Sequence, residues 1–215
     1  MDDPRFGKML NCPRCGHVGR HERRIAFFEK HRARFLSCTV TRPEQTFATF
    51  NTRDVSPAIR KAYRAAQAFA KEPRGWLVLH GPPGTGKSHL ASAIDHACGP
   101  DAHPERPSLC LVMPDLLRLL RSGFDSGDHD ELLDFCLNVE LLIIDDMGTE
   151  SATPWAQQTI FQITNYRYNR ALPSVFIFNG EVDDFDPRIA SRLKDRALST
   201  IVSVYGDDYR ARRRA

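Results

Sequence analysis

The chain has 215 residues, 41% of them hydrophobic and 27% charged, enough for one buried core with a modest appendage and too little for two full domains. A net charge of +3 rules out a polycation, and no apolar run is long enough to cross a bilayer. Met1-Asp2-Asp3 begins acidic with no apolar stretch behind it, unlike a signal peptide, so a reduced, cytoplasmic setting without membrane partners is expected.

The first stretch, residues 1–55, is basic, poorly periodic and broken by Pro4, Pro13 and Pro43. It reads as a small N-terminal module plus linker. Arg14, Arg20, Arg23, Arg24, Lys30, Arg32 and Arg34 crowd its middle, and Arg210, Arg212, Arg213 and Arg214 close the chain. Basic ends on a near-neutral body suit contact with a polyanion such as nucleic acid; a solvated arm and tail is the equal alternative. Cys12-Pro13-Arg14-Cys15-Gly16-His17 has the C-x2-C spacing of a zinc knuckle. A tetrahedral Zn2+ site would need two more ligands, for which Cys38 and one of His17, His21 or His31 are the candidates. Cys98, Cys110 and Cys136 fall in helix or strand patterns and read as small buried hydrophobes.

Residues 56–205 alternate helix and strand signals, which predicts an α/β fold with a five-stranded parallel sheet flanked by helices. Ser56-Pro57 supplies a cap and a first-turn proline, and Ile59, Tyr63, Ala66 and Phe69 line one face of a helix ending near Pro73. The expected strands are Trp76–His80, Leu109–Met113, Leu141–Asp145, Ser174–Phe178 and Thr200–Tyr205. Helices are expected from Ser88 to about Ala97, at about 115–122 and 129–138, from Pro154 to about Arg170, and at about 187–196. Residues 206–215 form a short basic tail.

Gly81-Pro82-Pro83-Gly84-Thr85-Gly86-Lys87-Ser88 fits G-x-x-x-x-G-K-[ST] and lies between a predicted strand and a predicted helix. Glycines let successive N–H groups turn around phosphate oxygens, and the helix points its positive end at the same charge. Lys87 should reach the outer phosphates and the Ser88 hydroxyl should ligate Mg2+, with His89 next to them in the nucleotide-binding set. Leu141-Leu142-Ile143-Ile144-Asp145-Asp146 is four apolar residues followed by two carboxylates, the pattern of a metal-holding strand end. Asp145 would hold Mg2+ through water, and Asp146 would orient or deprotonate the attacking water. Asn179 closes the fourth strand, where an amide can sense the γ-phosphate; a turn residue is the plainer reading. Arg188 and Arg192 are four apart on one helix face, either a clamp for a neighbouring subunit's γ-phosphate or a surface face salt-bridged to Asp195.

The run TFATFN (Thr46–Asn51) followed by NTRDVSPAIRKAYRAAQAFAKEPRGWLVLHGPPGTGKSHLASAI, LLIIDDMGTE, NYRYNRALPSVFIFN and DPRIASRLKD resembles the DnaC/DnaI/IstB group of AAA+ ATPases. These are bacterial replicative-helicase loaders and insertion-sequence helper ATPases. The resemblance covers about residues 46–205 and does not separate the two branches. It implies an AAA+ core at 56–205 with Walker A at Gly81–Ser88, Walker B at Asp145-Asp146, sensor 1 at Asn179 and trans-acting arginines at Arg188 and Arg192. It also implies that Arg210 stands near the nucleotide and that the helical lid of most AAA+ proteins is absent. Self-association through ATP interfaces and binding of single-stranded DNA along a spiral follow from the same likeness, with Arg118 and Arg121 in the 113–138 segment as phosphate contacts. The expected partners are then a replicative helicase and single-stranded DNA, or, in the other branch, a transposase and duplex DNA. A non-hydrolysing nucleotide-switch adaptor is the reading from a different class.

Overall fold

The computed structural model describes residues 26, 30, 34–99, 102, 108–148 and 153–209. Ser56 caps the first helix, α1 (Pro57–Lys71), by accepting from the Ile59 N–H at 3.2 Å, and Pro57 opens it. The strands β1 (Trp76–His80), β2 (Ser108–Val112), β3 (Leu141–Asp145) and β4 (Ser174–Phe178) are buried almost throughout, while β5 (Ser199–Ser203) is more exposed. All pair in parallel in the order β2-β3-β4-β1-β5. Continuous apolar runs suit a sheet covered on both sides, and the covering helices follow each strand in turn. They are α2 (Lys87–Cys98), α3 (Met113–Ser126), α4 (His129–Asn138), α5 (Pro154–Asn169) and α6 (Pro187–Leu193).

Alternation along the strands feeds two cores. Trp76, Val78, Leu142 and Ile144 face α3, α4, α5 and α6. Leu77, Leu79, Leu141 and Ile143 face α1 and α2. Several boundaries differ from expectation. Met113 opens α3 rather than ending β2, because Pro114 stands in the first turn of a helix and removes a donor a strand would use. The segment expected as a short helix at 115–122 therefore runs from 113 to 126, where Gly127 closes it at φ +76°. The last helix ends at Leu193, and β5 spans 199–203.

The stretch read as module and linker packs against the sheet where it is described. Thr39 bridges Leu111, the Val40 N–H donates to Cys110 O at 3.2 Å, and the Val112 N–H donates to Cys38 O at 3.1 Å. This covers the outer edge of β2, which would otherwise expose unpaired backbone groups. Phe35 packs on Phe135 with ring centroids 5.4 Å apart. Cys38 lies in the same core, its thiol donating to Asp115 O at 3.5 Å, and burial pushes its pKa up. Cys38 thus serves as a core residue. Among the described residues no His, Cys, Asp or Glu cluster suits a metal ion; Cys12 and Cys15 lie outside them. Nor is any described helix long and apolar enough to cross a membrane.

Arg167 on α5 was not singled out by the sequence, yet it is fully buried. Its guanidinium donates to Cys136 O at 3.2 Å, Leu137 O at 3.1 Å and Val139 O at 2.9 Å, to Pro173 O at 2.6 Å, and to Ser174 Oγ at 2.8 Å. It thus caps the C-terminus of α4 and holds the entries of β3 and β4 together. A lone arginine in a helix gives no sequence signal for that role.

Candidate nucleotide-binding site

The parallel register brings three chain segments to one edge of the sheet. His80 pairs with Phe178 and Ile144 with Phe176, so the residues after β1, β3 and β4 emerge side by side. Ligands of open α/β sheets bind at this carboxyl edge. Strand β4 stands between the phosphate-loop strand and the acidic strand, so Asn179 lies between Lys87 and Asp146.

Gly86 is the N-cap of α2 at φ +92°, and a Cβ there would meet the Phe50 ring at 3.0 Å. Both the left-handed turn and the close approach require glycine. The Lys87 side chain is buried and folds back along the loop, donating to Gly81 O at 2.8 Å, Pro82 O at 2.7 Å and Asn179 Oδ1 at 3.0 Å. The Asn179 Nδ2 donates to Asp146 Oδ1 at 3.2 Å. Chemistry fixes the orientation of that amide, since its oxygen must face an ammonium and its nitrogen a carboxylate. A continuous chain of polar contacts, Lys87–Asn179–Asp146, therefore joins the phosphate loop to the acidic strand end.

Asp145 is 6% exposed and accepts from the Asp146 N–H at 2.9 Å, and the Ser88 hydroxyl lies near enough to favour its charged form. Asp146 takes the left-handed region at φ +55°, tolerable for an aspartate, which turns its carboxylate toward Asn179. Burial is the largest influence on Asp145 and raises its pKa against the lowering from Ser88, the Asp146 N–H and Lys87, while the Asp146 charge raises it further. Because the folded value is raised, the neutral acid is favoured in the fold. The stability it lends is whole at low pH and lost as pH climbs past the usual carboxylate range. An Asp145→Asn protein, unable to ionise, should melt higher than wild type at pH 7, by about 2–4 °C for each 1 kcal/mol relieved. The gap should close as pH falls through the carboxylate range, where Asp145 itself becomes neutral. Calorimetry of nucleotide-free protein at pH 7 and across that range checks this, and a lower melting temperature for the variant at pH 7 would refute it.

A cleft of about 1400 Å³ opens over these groups, walled by Phe50, Val55, Ile59, His89 and Tyr209. His89 lines it but its Nε2 is engaged with Thr46 O at 2.9 Å, and its ring meets Phe50 at 5.0 Å. It anchors the Thr46–Phe50 run to α2, so its part is positioning. Phe50 also stacks on Tyr63 at 5.3 Å, completing an aromatic wall. On the far side the Tyr209 N–H donates to Gly84 O at 3.0 Å and the Asp208 carboxylate lies over Gly84, so the tail crosses the phosphate loop. Arg210 is outside the described residues. Ser88 and Asp145 bring a hydroxyl and a carboxylate to the same cleft, an all-oxygen set suited to a hard divalent cation such as Mg2+.

Arg188 and Arg192 share α6, outside the cleft. Arg188 is exposed and paired with Asp186 through Nε at 3.0 Å, and its guanidinium sits 4.3 Å over the Phe161 ring. Arg192 donates to Asn165 Oδ1 at 2.6 Å. Asp195, the expected salt-bridge partner, instead accepts from the Tyr168 hydroxyl at 2.5 Å. In the 113–138 segment both candidate phosphate contacts have partners within the chain. Arg118 is bound to Asp115, and Arg121 lies 4.8 Å over the Trp155 ring. Phe124, 57% exposed, stacks on His129 at 3.8 Å and stands 6.3 Å from Trp155. This outward-facing aromatic cluster joins α3, α4 and α5, and no linear pattern announces it.

A glycine loop running from a buried strand into a helix, with a further strand between it and the acidic pair, is the AAA+ form of the P-loop fold. The crystal structure of the DnaC helicase loader superposes on it with a TM-score of 0.66 at 21% identity, covering 76% of this chain and 98% of that one. The chain belongs to the family described as IstB-like ATP binding protein, whose pattern matches residues 17–215. It is similar to the replicative helicase loader DnaC of Escherichia coli (strain K12), 30% identical over 141 residues, 63% of this chain and 56% of the relative. It is also similar to an insertion sequence IS232 protein described as ATP-binding, from Bacillus thuringiensis subsp. berliner, 32% identical over 140 residues, 62% of this chain and 55% of the relative. The matches thus span just over half of each relative's length.

Proposed function

We propose that this chain is an ATP-hydrolysing AAA+ protein that assembles on single-stranded DNA and loads or remodels a replicative helicase. The observation that carries the hydrolytic part is the polar chain Lys87–Asn179–Asp146 beside Ser88 and Asp145. Lys87 exchanges the Gly81 and Pro82 carbonyls for phosphate oxygens, which accept its charge better. Asn179 holds the Asp146 carboxylate, which orients water for in-line attack and accepts its proton. Ser88 and Asp145 would hold Mg2+, which would supply neutralisation of charge on the phosphate oxygens. Arg188 and Arg192 are the candidates for a contribution in trans: the Asp186 pair holding Arg188 is exposed and weak, so it exchanges readily for a neighbour's phosphate.

Single-stranded DNA is favoured by the Phe124–His129–Trp155 cluster with Arg121, because an unpaired base can stack on the exposed Phe124 ring beside a cation. A second reading, a transposition helper that binds duplex DNA and recruits a transposase, is supported by the likeness to the IS232 protein. Measuring ATP turnover with single-stranded, double-stranded or no DNA tests these together. Stimulation by single strands above duplex is expected, and Phe124→Ala should weaken single-strand binding by about 1–3 kcal/mol per stacked base. Turnover absent under every condition, with ATP still bound, would leave only the nucleotide-switch adaptor. Stimulation by duplex alone would favour the transposition helper.

A further inference from the structure

Helix α1 has one face buried through Ile59, Ala62, Ala66 and Phe69 and carries Arg60, Lys61, Arg64 and Lys71 on its exposed side. At 3.6 residues per turn, Arg60, Arg64 and Lys71 fall within about 40° of one another, with Lys61 about 60° further round. The helix contains no acidic residue; its C-cap Glu72 is engaged by Arg74 at 3.0 Å. None of the four cations forms an ion pair with a described residue. Lys30, Arg34, Arg118, Arg188 and Lys194 each have an acid, whereas Arg42, Arg53, Arg121 and Arg170 also form no ion pair with a described residue, so it is the gathering of four such cations on one helix that distinguishes α1. Four like charges on one rigid helix face repel each other and lower the stability of the helix unless an anion lies against them.

We infer that the outer face of α1 is a docking site for the phosphate backbone of duplex nucleic acid. Charge complementarity names a polyanion, and the chemistry of the face selects the duplex. It exposes cations and no aromatic ring, since Tyr63, the only aromatic residue facing that way, is stacked on Phe50 and bonded to Phe47 O. A surface that grips phosphates without a platform for bases suits a duplex, whose bases are already stacked inside. From Arg60 to Lys71 the helix rises about 16 Å, the span of about five phosphates along one strand. The site lies apart from the Phe124–Trp155 cluster and is independent of nucleotide turnover, so one chain would hold a duplex and an unpaired strand on different surfaces.

Fluorescence anisotropy of the full chain with a labelled duplex of arbitrary sequence, titrated at several salt concentrations, tests the inference. The Arg60→Gln/Arg64→Gln/Lys71→Gln variant is expected to lose about tenfold or more in duplex affinity at low salt. The slope of log affinity against log salt should shrink by about 2–3, roughly 0.9 for each phosphate contact removed. ATP binding and binding to a single-stranded oligonucleotide should stay at wild-type strength, which also reports an intact fold. The Arg60→Lys/Arg64→Lys variant, which keeps the charge, should retain duplex binding. An unchanged salt slope in the triple variant, duplex binding lost in the lysine variant, or no duplex binding by wild type at low salt would each overturn the assignment.

Discussion

An Asn179→Ala protein is expected to bind ATP nearly as wild type does and to turn it over about 10²–10³-fold more slowly, the effect of deleting one oriented donor in a charge-stabilising site. Among the described residues the amide's hydrogen bonds are to Lys87 and Asp146. Its loss leaves the phosphate loop whole while freeing the Asp146 carboxylate to rotate out of line with the attacking water. Asn179→Asp should be no better than alanine, because a carboxylate there would pair with Lys87 and repel Asp146. A turnover number within twofold of wild type in either variant, measured at saturating ATP, would sever the proposed link between the two motifs. A raised KM with unchanged kcat would assign Asn179 to binding alone.

Arg167→Ala is the substitution expected to damage the fold most. Three carbonyl oxygens, from Cys136, Leu137 and Val139, would lose the guanidinium as donor inside a core that water does not reach, while Pro173 O would keep the Leu142 N–H at 3.3 Å. Each orphaned group costs about 1–3 kcal/mol, and relaxation of the cavity recovers part of the sum, so a loss of about 3–5 kcal/mol is expected. In a chain of this size that lowers the melting temperature by roughly 10 °C. Arg167→Met, which fills the volume and still orphans the carbonyls, should recover less than half of the loss. Urea unfolding at fixed pH measures both. A loss below 1 kcal/mol for the alanine variant would mean that water or a neighbouring donor replaces the guanidinium.

These two residues show how unevenly the sequence discloses its own machinery. Asn179 could be picked out because it follows a buried strand at a set distance from recognisable motifs. Arg167 could not, since nothing about an arginine in an amphipathic helix says whether it points to solvent or inward. The Phe124–Trp155 cluster was hidden for a similar reason. Its members lie on three helices whose mutual placement depends on packing, as Gly123 shows: a Cβ there would meet the His129 Cα at 2.7 Å, so the turn between α3 and α4 depends on its absence. Cys38, named beside the C-x2-C pair as a candidate further ligand, gave no sign in the sequence of its burial against Asp115 O in the core.

The sequence by itself determined the alternating fold, the glycine loop with Lys87 and Ser88, and the acidic strand end. Each of these is a local pattern whose chemistry follows from a few consecutive residues. The tertiary structure alone decided that β4 lies between the two motif strands, that Asn179 bridges Lys87 to Asp146, that His89 braces the cleft wall, and that the cations of α1 stand without acids among the described residues. Those facts depend on strand order and helix rotation, which are set by how apolar faces from distant parts of the chain bury one another and which no single stretch of sequence records.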